Sequence, residues 1–544
     1  VRHGVDFDLV SNPIIGDTEL FDLVVVGAGF SGLSAAIVYR DNNPGARVLI
    51  LDNHDEFGGH ARRNTFDVDG TTLIAGGGTY ELEAHRWASS QSAAILDRIG
   101  LDPDRLAGYW QSDRIEKLGL TAGFFSDETS HGVPSSWARD MYAKPWGEFF
   151  AQTNLNPDVA ADLAQLCTAR EAPTGLRSDD LADRTYRQYI EDDLGLSNDA
   201  TRFAEIYVKD MLGAGAEALS ASAMVDYGPG FDWAGGDWSP DESQRYTYMA
   251  ASRYPDGMHT LVRGLLAELI PAAFSRTGSL DELFLADVCD EAFELGPVHL
   301  RLNSTVVHVE HDGDPDTAER VNVVYVNGDA AHRVHARQFI MAGGGFIARR
   351  VLRDMPAENL AAATEAVHCP MVYTNVALRR WTSIAEAGVY WGGFTDWPYQ
   401  TFMLQHPIYP PGWDAPFDPD EPITVMLTGG AVGQGATALE QAIAGRTALE
   451  ATSRETHEEG VANLLERMFG ATGFQRSDIA AMTINRFGHG YGFFKGPDED
   501  GAHRRARRSW GRISIAHSDS QGEVWAHSAI DAGHRAATER LDHG

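Results

Sequence analysis

The feature that most constrains this chain lies in its first sixty residues. Phe21-Asp22-Leu23-Val24-Val25-Val26 is an apolar, β-branched run suited to a buried parallel strand, and it leads directly into Gly27-Ala28-Gly29-Phe30-Ser31-Gly32. Leu33 to Arg40 then reads as a helix, and Arg47 to Leu51 is a second apolar strand ending at Asp52. Together these make a βαβ unit. Gly27 permits the tight turn, Gly29 lets backbone approach a pyrophosphate at the helix N-terminus, and Gly32 lets helix pack on strand. Asp52, twenty residues beyond Gly32, can accept hydrogen bonds from both hydroxyls of a ribose. The spacing predicts a dinucleotide site, with a purely structural glycine turn as the alternative.

The remaining chain supplies more than this unit needs, since 544 residues correspond to two to four domains at about 150 each. Helical patterns such as Ser90 to Ile99 and Asp158 to Ala169 alternate with Trp-, Asp- and Gly-rich loops, including Tyr227 to Ser239. Tyr254-Pro255-Asp256-Gly257 is a turn ahead of an apolar helix, Leu261 to Ile270. Strand-like runs follow at Val298 to Leu302, Val306 to Val309, Val321 to Val326 and Phe339 to Met341. Arg512 to Ile515 and Ser528 to Arg540 read as a closing strand and helix. The expected fold class is α/β. A discontinuous, doubly wound, Rossmann-like cofactor domain (1–85, 250–350 and 481–544) is interleaved with an α+β substrate or cap domain (86–249 and 351–480).

Charge excludes one class of partner. Lys+Arg number 44 against 78 Asp+Glu, a net charge of −34, and such a surface repels nucleic-acid phosphates. The same charge draws in small cations or simply keeps the protein in solution. Cys167, Cys289 and Cys369 show no CxxC or CxxCH spacing, so a disulfide framework, a cysteine zinc site and covalent haem are not expected, and no metal site is assigned. No run reaches the roughly 18–20 apolar residues of a transmembrane helix. A soluble protein of cytoplasm or periplasm is expected, with the compartment open.

Further motifs narrow the cofactor. Gly58-Gly59-His60-Ala61-Arg62-Arg63-Asn64 follows the second strand, and Gly76-Gly77-Gly78 offers backbone to a flat ring, unless it is only a flexible loop. The C-terminal Gly511 to Asp519 and Trp525 to Gly533 read as a strand ending in an acid and then a helix with small residues on one face. These blocks resemble the FAD-binding amine oxidases and, within that superfamily, bacterial spermidine dehydrogenases. Tyr254 to Gly257, Asn375-Val376-Ala377-Leu378-Arg379 and Asn485-Arg486-Phe487-Gly488-His489-Gly490-Tyr491 add to the likeness.

The resemblance implies FAD. Gly58, Gly59 and Arg62 would extend the pyrophosphate cradle, Val306 would lie by the adenine, and Gly77 and Gly78 would lie against the flavin. Asp519 would take the ribityl or phosphate portion, and the helix start near Ala529 would face the flavin N1–C2 region. It also implies oxidation of an amine, a polyamine such as spermidine among them, by hydride transfer to flavin N5, giving an imine hydrolysed to aldehyde and amine. Tyr80 and Glu81 are candidates for the pocket entrance and Tyr491, with Phe493, for its wall; ordinary surface or core roles are the alternative for each. Many relatives carry a lysine near N5, whereas only Lys495 lies in the C-terminal half here, which favours a quinone or haem protein over O2 as acceptor. The family is also associated with haem, for which His308, His332, His489 and His517 are the candidates. The basic run Arg504-Arg505-Ala506-Arg507-Arg508 reads as a solvated loop, with an anion or redox-partner dock as alternative. A flavin-dependent dehydrogenase or desaturase of a non-amine apolar substrate, and a non-catalytic flavin-bound partner protein, are the competing functions.

Overall fold

The computed structural model describes residues 14–16, 19–80, 88–141, 143–168, 181, 183–226, 253–492 and 501–541. The βαβ unit forms as strand Leu20–Val26, helix Phe30–Asn42 and strand Val48–Leu51. It sits within an eight-stranded sheet whose spatial order is Val298–Arg301, Val48–Leu51, Leu20–Val26, Ala330–Met341, Val321–Asn327 and Ser304–His311. Ile14–Ile15 and Ile513–Ile515 also pair with Ala330–Met341. Pairing is parallel from Val298–Arg301 through Ala330–Met341 and antiparallel beyond it.

The continuous apolar strands are explained by what covers them. Leu23, Val25, Val48, Ile50 and Ile340 project into a core shared with Leu33, Leu261, Leu265 and Ile530 of three helices. On the opposite face Phe21, Val24, Leu49, Leu51, Phe339 and Met341 pack with Ala348 and Val351. With both faces buried, polar alternation has no place to appear. The helix His259–Leu269 and the C-terminal helix Ala526–Leu541 are slightly longer than their apolar patterns indicate.

One strand differs more. Only Phe339 to Met341 reads as strand in the sequence, yet Ala330–Met341 is extended throughout. Its first half, Ala-Ala-His-Arg-Val-His, carries too many polar groups to show an apolar run. It is held instead as a hairpin with Val321–Asn327, turned by Gly328 (φ 57°) and Asp329.

A seven-stranded sheet makes the second layer, in the order Ile479–Gly492, His368–Leu378, Ile423–Gly430, Thr401–Leu404, Val389–Phe394, Thr121–Ser126 and Ser136–Arg139. One face packs Phe124, Met371, Tyr373, Met403 and Met426 against helices that include Asn198–Leu212. The other packs Val372, Val376, Phe402 and Leu427 against Leu464, Leu465 and Phe469 of helix Arg454–Phe469. Ile479–Gly492 is hydrogen-bonded along His368–Leu378, so a division of the chain at residue 481 falls inside a strand of this second sheet. The two-stranded ribbon Arg63–Val68 and Thr71–Gly76 leans on the same sheet, with Phe66, Val68 and Leu73 against Ala377. The loop expected at Tyr227 to Ser239 lies outside the described residues.

The first and last helices meet at backbone distance. A Cβ added at Gly533 would lie 2.2 Å from the Ser31 carbonyl oxygen. Gly533→Ala is therefore expected to cost about 1–3 kcal/mol by overpacking, seen as a lower Tm in thermal unfolding. An unchanged Tm would mean that these helices do not meet this closely.

Candidate functional site

The glycine turn ends Leu20–Val26 and begins Phe30–Asn42. A Cβ at Gly32 would stand 1.9 Å from the Gly27 carbonyl oxygen, so only glycine lets the helix begin so close to the strand. The helix start carries no side-chain cap and no acid in its first turn. Its first N–H groups are thus left for an external acceptor.

The second glycine pair comes to the same place. Gly58 donates its N–H to the Ala28 carbonyl at 2.9 Å, and Gly58 adopts φ 117°, a conformation few other residues tolerate. A Cβ on Gly29 would lie 3.6 Å from both Gly58 O and Gly59 Cα. Two turns without side chains therefore meet at an uncapped helix N-terminus. This fits the diphosphate of a dinucleotide.

Asp52 is buried at the end of its strand, and both carboxylate oxygens are engaged. Oδ2 accepts from Ala28 N–H at 2.8 Å, while Oδ1 accepts from His54 N–H at 2.9 Å and lies 3.0 Å from His54 Nδ1. The acid thus braces the turn as well as standing beside it. Ser304 N–H donates to the Asp52 carbonyl, which brings Val306 to this end of the sheet, packed with Leu49 and Leu51. Arg62 is directed to Asp55 and Glu56, at 3.5 and 3.7 Å. The nearby imidazoles are neutral: burial pushes His60 and His259 down to about 3.

Gly77 and Gly78 lie where the first layer meets the second sheet. Gly77 N–H donates to Arg62 O, and a Cβ on Gly78 would be 1.9 Å from His60 O, so the triplet is a packed turn and not a loose loop. Three buried asparagines secure it. Asn64 Oδ1 accepts from Asn375 Nδ2 and Asn485 Nδ2, both at 2.8 Å, while Asn375 also donates to Gly76 O and Asn485 to Tyr373 O. Sequence reasoning assigned these asparagines no role. The available signal was Asn375 itself, an amide within an apolar strand, where burial demands partners.

Asp519 forms the other end of the site. Its Oδ2 accepts from Gly345 N–H at 3.0 Å and from His368 Nε2 at 2.6 Å, and its Oδ1 lies 2.9 Å from His517 Nδ1. These partners outweigh its burial and hold the carboxyl well below the usual carboxylate range. His517 is raised, because Asp519 outweighs the opposing effect of burial. The C-terminal helix begins at Ala526, and Ala529 N–H is already bonded to Trp525 O. The N–H groups available to a ligand belong to residues 526–528, just ahead of Ala529. Beside them the Nδ1 of buried His527 has no hydrogen-bond partner.

On the second sheet Tyr491 and Tyr373 share a hydroxyl contact at 2.7 Å, and Phe487 packs edge-on to Tyr373 with ring centroids 6.0 Å apart. Tyr80 packs against the same cluster, its hydroxyl 3.4 Å from the Met403 sulfur. The Arg253 guanidinium, buried, lies 3.8 Å from the Tyr80 ring centroid and contacts His406 Nδ1. Arginine only donates, so Nδ1 accepts and the proton of this imidazole, kept neutral by burial, is on Nε2. Glu81, Phe493 and Lys495 lie outside the described residues.

The four histidines named for haem have separate surroundings. His308 pairs with Glu310 at 3.1 Å, His332 stacks on Tyr325, His489 stacks on Phe346 and His517 sits on Asp519. Of the basic run, Arg505 and Arg508 pair with Glu365 and Glu358, while Arg507 reaches Ser520 O. Among the described residues no helix is long and apolar enough to cross a membrane.

Comparison with known proteins agrees with this layout. Residues 25–99 match the NAD(P)-binding Rossmann-like domain family. A stretch of 210 residues is 32% identical to (S)-6-hydroxynicotine oxidase of Paenarthrobacter nicotinovorans, covering 38% of this chain and 43% of that protein, so less than half of that relative is spanned. Among solved structures, a triple mutant of putrescine oxidase aligns over 96% of this chain and 99% of its own, with TM-score 0.58 and 17% identity. Cyclohexylamine oxidase from Brevibacterium oxydans aligns over 96% and 99%, with TM-score 0.54 and 16% identity. An Exiguobacterium protein provisionally described as a protoporphyrinogen oxidase aligns over 97% and 100%, with TM-score 0.55 and 14% identity. The fold is therefore mixed α/β with a Rossmann-like dinucleotide-binding domain, shared across nearly the whole chain with these oxidases.

Asn64→Ala removes the acceptor that two buried amides share. A loss of about 1–3 kcal/mol is expected, measured as a fall in denaturant midpoint. No change in midpoint would mean that the asparagine network does not hold the ribbon to the second sheet.

Proposed function

We propose that this chain is a flavin-dependent oxidoreductase that binds FAD and oxidises an amine. The observation that carries this reading is the pair of bare backbones, Gly29 against Gly58 and Gly59, at an uncapped helix N-terminus. The names of the relatives, (S)-6-hydroxynicotine oxidase, putrescine oxidase and cyclohexylamine oxidase, support the chemistry. When bound, the flavin supplies a two-electron acceptor for hydride from the carbon beside the amine nitrogen.

The chain's own residues then have distinct tasks. Gly27, Gly29 and Gly32 with Gly58 and Gly59 bring backbone to the diphosphate, and the first turn of Phe30–Asn42 counters its charge. Asp52 meets the ribose hydroxyls while bracing the turn, Val306 lies by the adenine, and Arg62 adds positive charge to the same region. Gly77 and Gly78 offer backbone to the ring system, and Asp519 accepts from the ribityl hydroxyls. The N–H groups of residues 526–528, followed by Ala529, face the flavin's electron-rich edge. Tyr491, supported by Tyr373 and Phe487, forms an aromatic wall for the substrate.

The reacting nitrogen must present a neutral lone pair, so this wall has to exclude charge and water. The Arg253 guanidinium over Tyr80 disfavours a second cation on that ring face, so an ammonium is not held there. Distal ammonium groups of a polyamine, spermidine included, would be held farther out by carboxylates, with Glu81 the first candidate. The imine released is hydrolysed to an aldehyde and a shorter amine, and electrons leave to a quinone, a haem protein or O2. A second reading, oxidation of an apolar non-amine, is favoured by the Met371, Met403 and Met426 surface beside Tyr373.

Anaerobic mixing of the yellow protein with spermidine, spermine, putrescine and monoamines is expected to bleach the flavin absorbance with at least one of them. Bleaching only by an apolar non-amine would replace this reading with the second, and no bleaching by any compound would leave a flavin-bound partner protein. For the cofactor placement, Gly29→Val is expected to yield colourless protein, since its methyl groups would fill the gap to Gly58 and Gly59. One retained flavin per chain would refute that placement.

A further inference from the structure

We propose that His368, His503 and Asp519 form a binding site for a divalent transition-metal ion of the zinc type, at the seam between the two sheets. One ligand atom from each of the three residues lies within 4.8 Å of the others. His368 and Asp519 are buried and His503 is half-buried, so the group is an interior cluster and not a patch of surface acids. Two imidazoles and one carboxylate are a donor set that zinc takes with a fourth position left open.

The surroundings support a ligand role. Asp519 is fixed by Gly345 N–H on Oδ2 and by His517 on Oδ1, the kind of outer hydrogen bonding that orients a ligating carboxylate. His368 is positioned through its main chain, whose carbonyl accepts from Arg446 Nη1 at 3.3 Å. The Arg446 guanidinium so near disfavours a hard cation held by charge alone. Imidazole donors favour instead an ion with stronger bonds to nitrogen. On binding, the ion takes the place of the hydrogen bond between His368 Nε2 and Asp519, with the single proton of the neutral imidazole on Nδ1.

The ligands come from three places in the chain. His368 begins the strand His368–Leu378 of the seven-stranded sheet, and His503 belongs to the short helix Ala502–Ala506. Asp519 follows Ile513–Ile515, a strand of the eight-stranded sheet. A bound ion would therefore clamp the C-terminal segment to the second sheet through Asp519, the carboxylate proposed to face the flavin. The site shares Asp519 with the proposed flavin reading, and metal and flavin are followed by separate signals so that either can fail alone.

The test uses the purified flavin-containing chain, dialysed against a chelator and then titrated with zinc by calorimetry and with cobalt(II) by visible absorption. One ion per chain is expected, with cobalt d–d bands of low coordination number and a zinc-dependent rise in Tm. His503→Ala should weaken zinc affinity about tenfold or more and abolish the zinc-dependent rise, while the flavin spectrum stays the same. His503→Asp, which restores a ligand atom, should recover binding. Absence of stoichiometric binding, or equal binding by wild type and His503→Ala, overturns the proposal. Should the variants fail to fold, X-ray absorption of the cobalt-loaded wild type decides: imidazole scatterers sustain the site, and oxygen-only coordination removes it.

Discussion

Backbone meeting backbone, where side chains ordinarily stand, is the constraint from which the rest of this structure follows. At Gly32 the helix start lies against the Gly27 carbonyl, at Gly533 the last helix lies against the first, and at Gly29 two turns face each other. The first two approaches depend on a missing Cβ, whereas a Cβ on Gly29 would meet the facing turn at ordinary contact distance. Together they bring an uncapped helix N-terminus, a buried acid and two bare turns to one end of the eight-stranded sheet. A charged diphosphate is the kind of ligand that such an end accommodates, because N–H groups and a helix dipole point outward with nothing of the protein's own to satisfy them.

The joining of the ribbon to the second sheet is partly polar. Asn64 comes from that ribbon, while Asn375 and Asn485 come from adjacent strands of the sheet it leans on. Buried amides are costly without partners and directional with them. The network therefore specifies one relative placement of ribbon and sheet, including the position of Gly77 and Gly78. Hydrophobic contact alone, as between Leu73 and Ala377, would tolerate sliding.

Electrostatics divides the molecule into an acidic exterior and an interior with little free negative charge. The net charge is −34, and among the described residues the buried acids are Asp52, Asp127, Asp256, Asp281, Asp478 and Asp519. Inside, Arg253 covers Tyr80, burial keeps His60, His259, His406 and His489 neutral, and burial raises the carboxyl groups of Glu56 and Asp256. Asp519 instead is held low by the imidazoles and the N–H directed at it, while buried Asp127, Asp281 and Asp478 pair with Arg467, Arg105 and Arg380. An acidic surface can concentrate cations nearby, yet the described interior is suited to a neutral reacting group.

The βαβ unit was legible in the residues because its signals are local: a strand, a glycine spacing, a helix and an acid within thirty-two residues. The apolar strands of the first sheet were legible for the same reason, since burial on both faces leaves a continuous run. The polar half of Ala330–Met341 was not, because its extended form comes from a hairpin partner and not from its own pattern. Nor could Asn485, His368 and His503 be assigned from their positions, as their partners lie far away in the chain. The helix expected to start near Ala529 begins at Ala526, because a helix start depends on which N–H first finds a carbonyl. By itself the sequence determined the dinucleotide-binding unit and the α/β class. Which side chains converge on Asp519, which cover Tyr80, and how the second sheet meets the first were decided only by tertiary structure, because such contacts arise when distant segments are packed together and no local spacing encodes them.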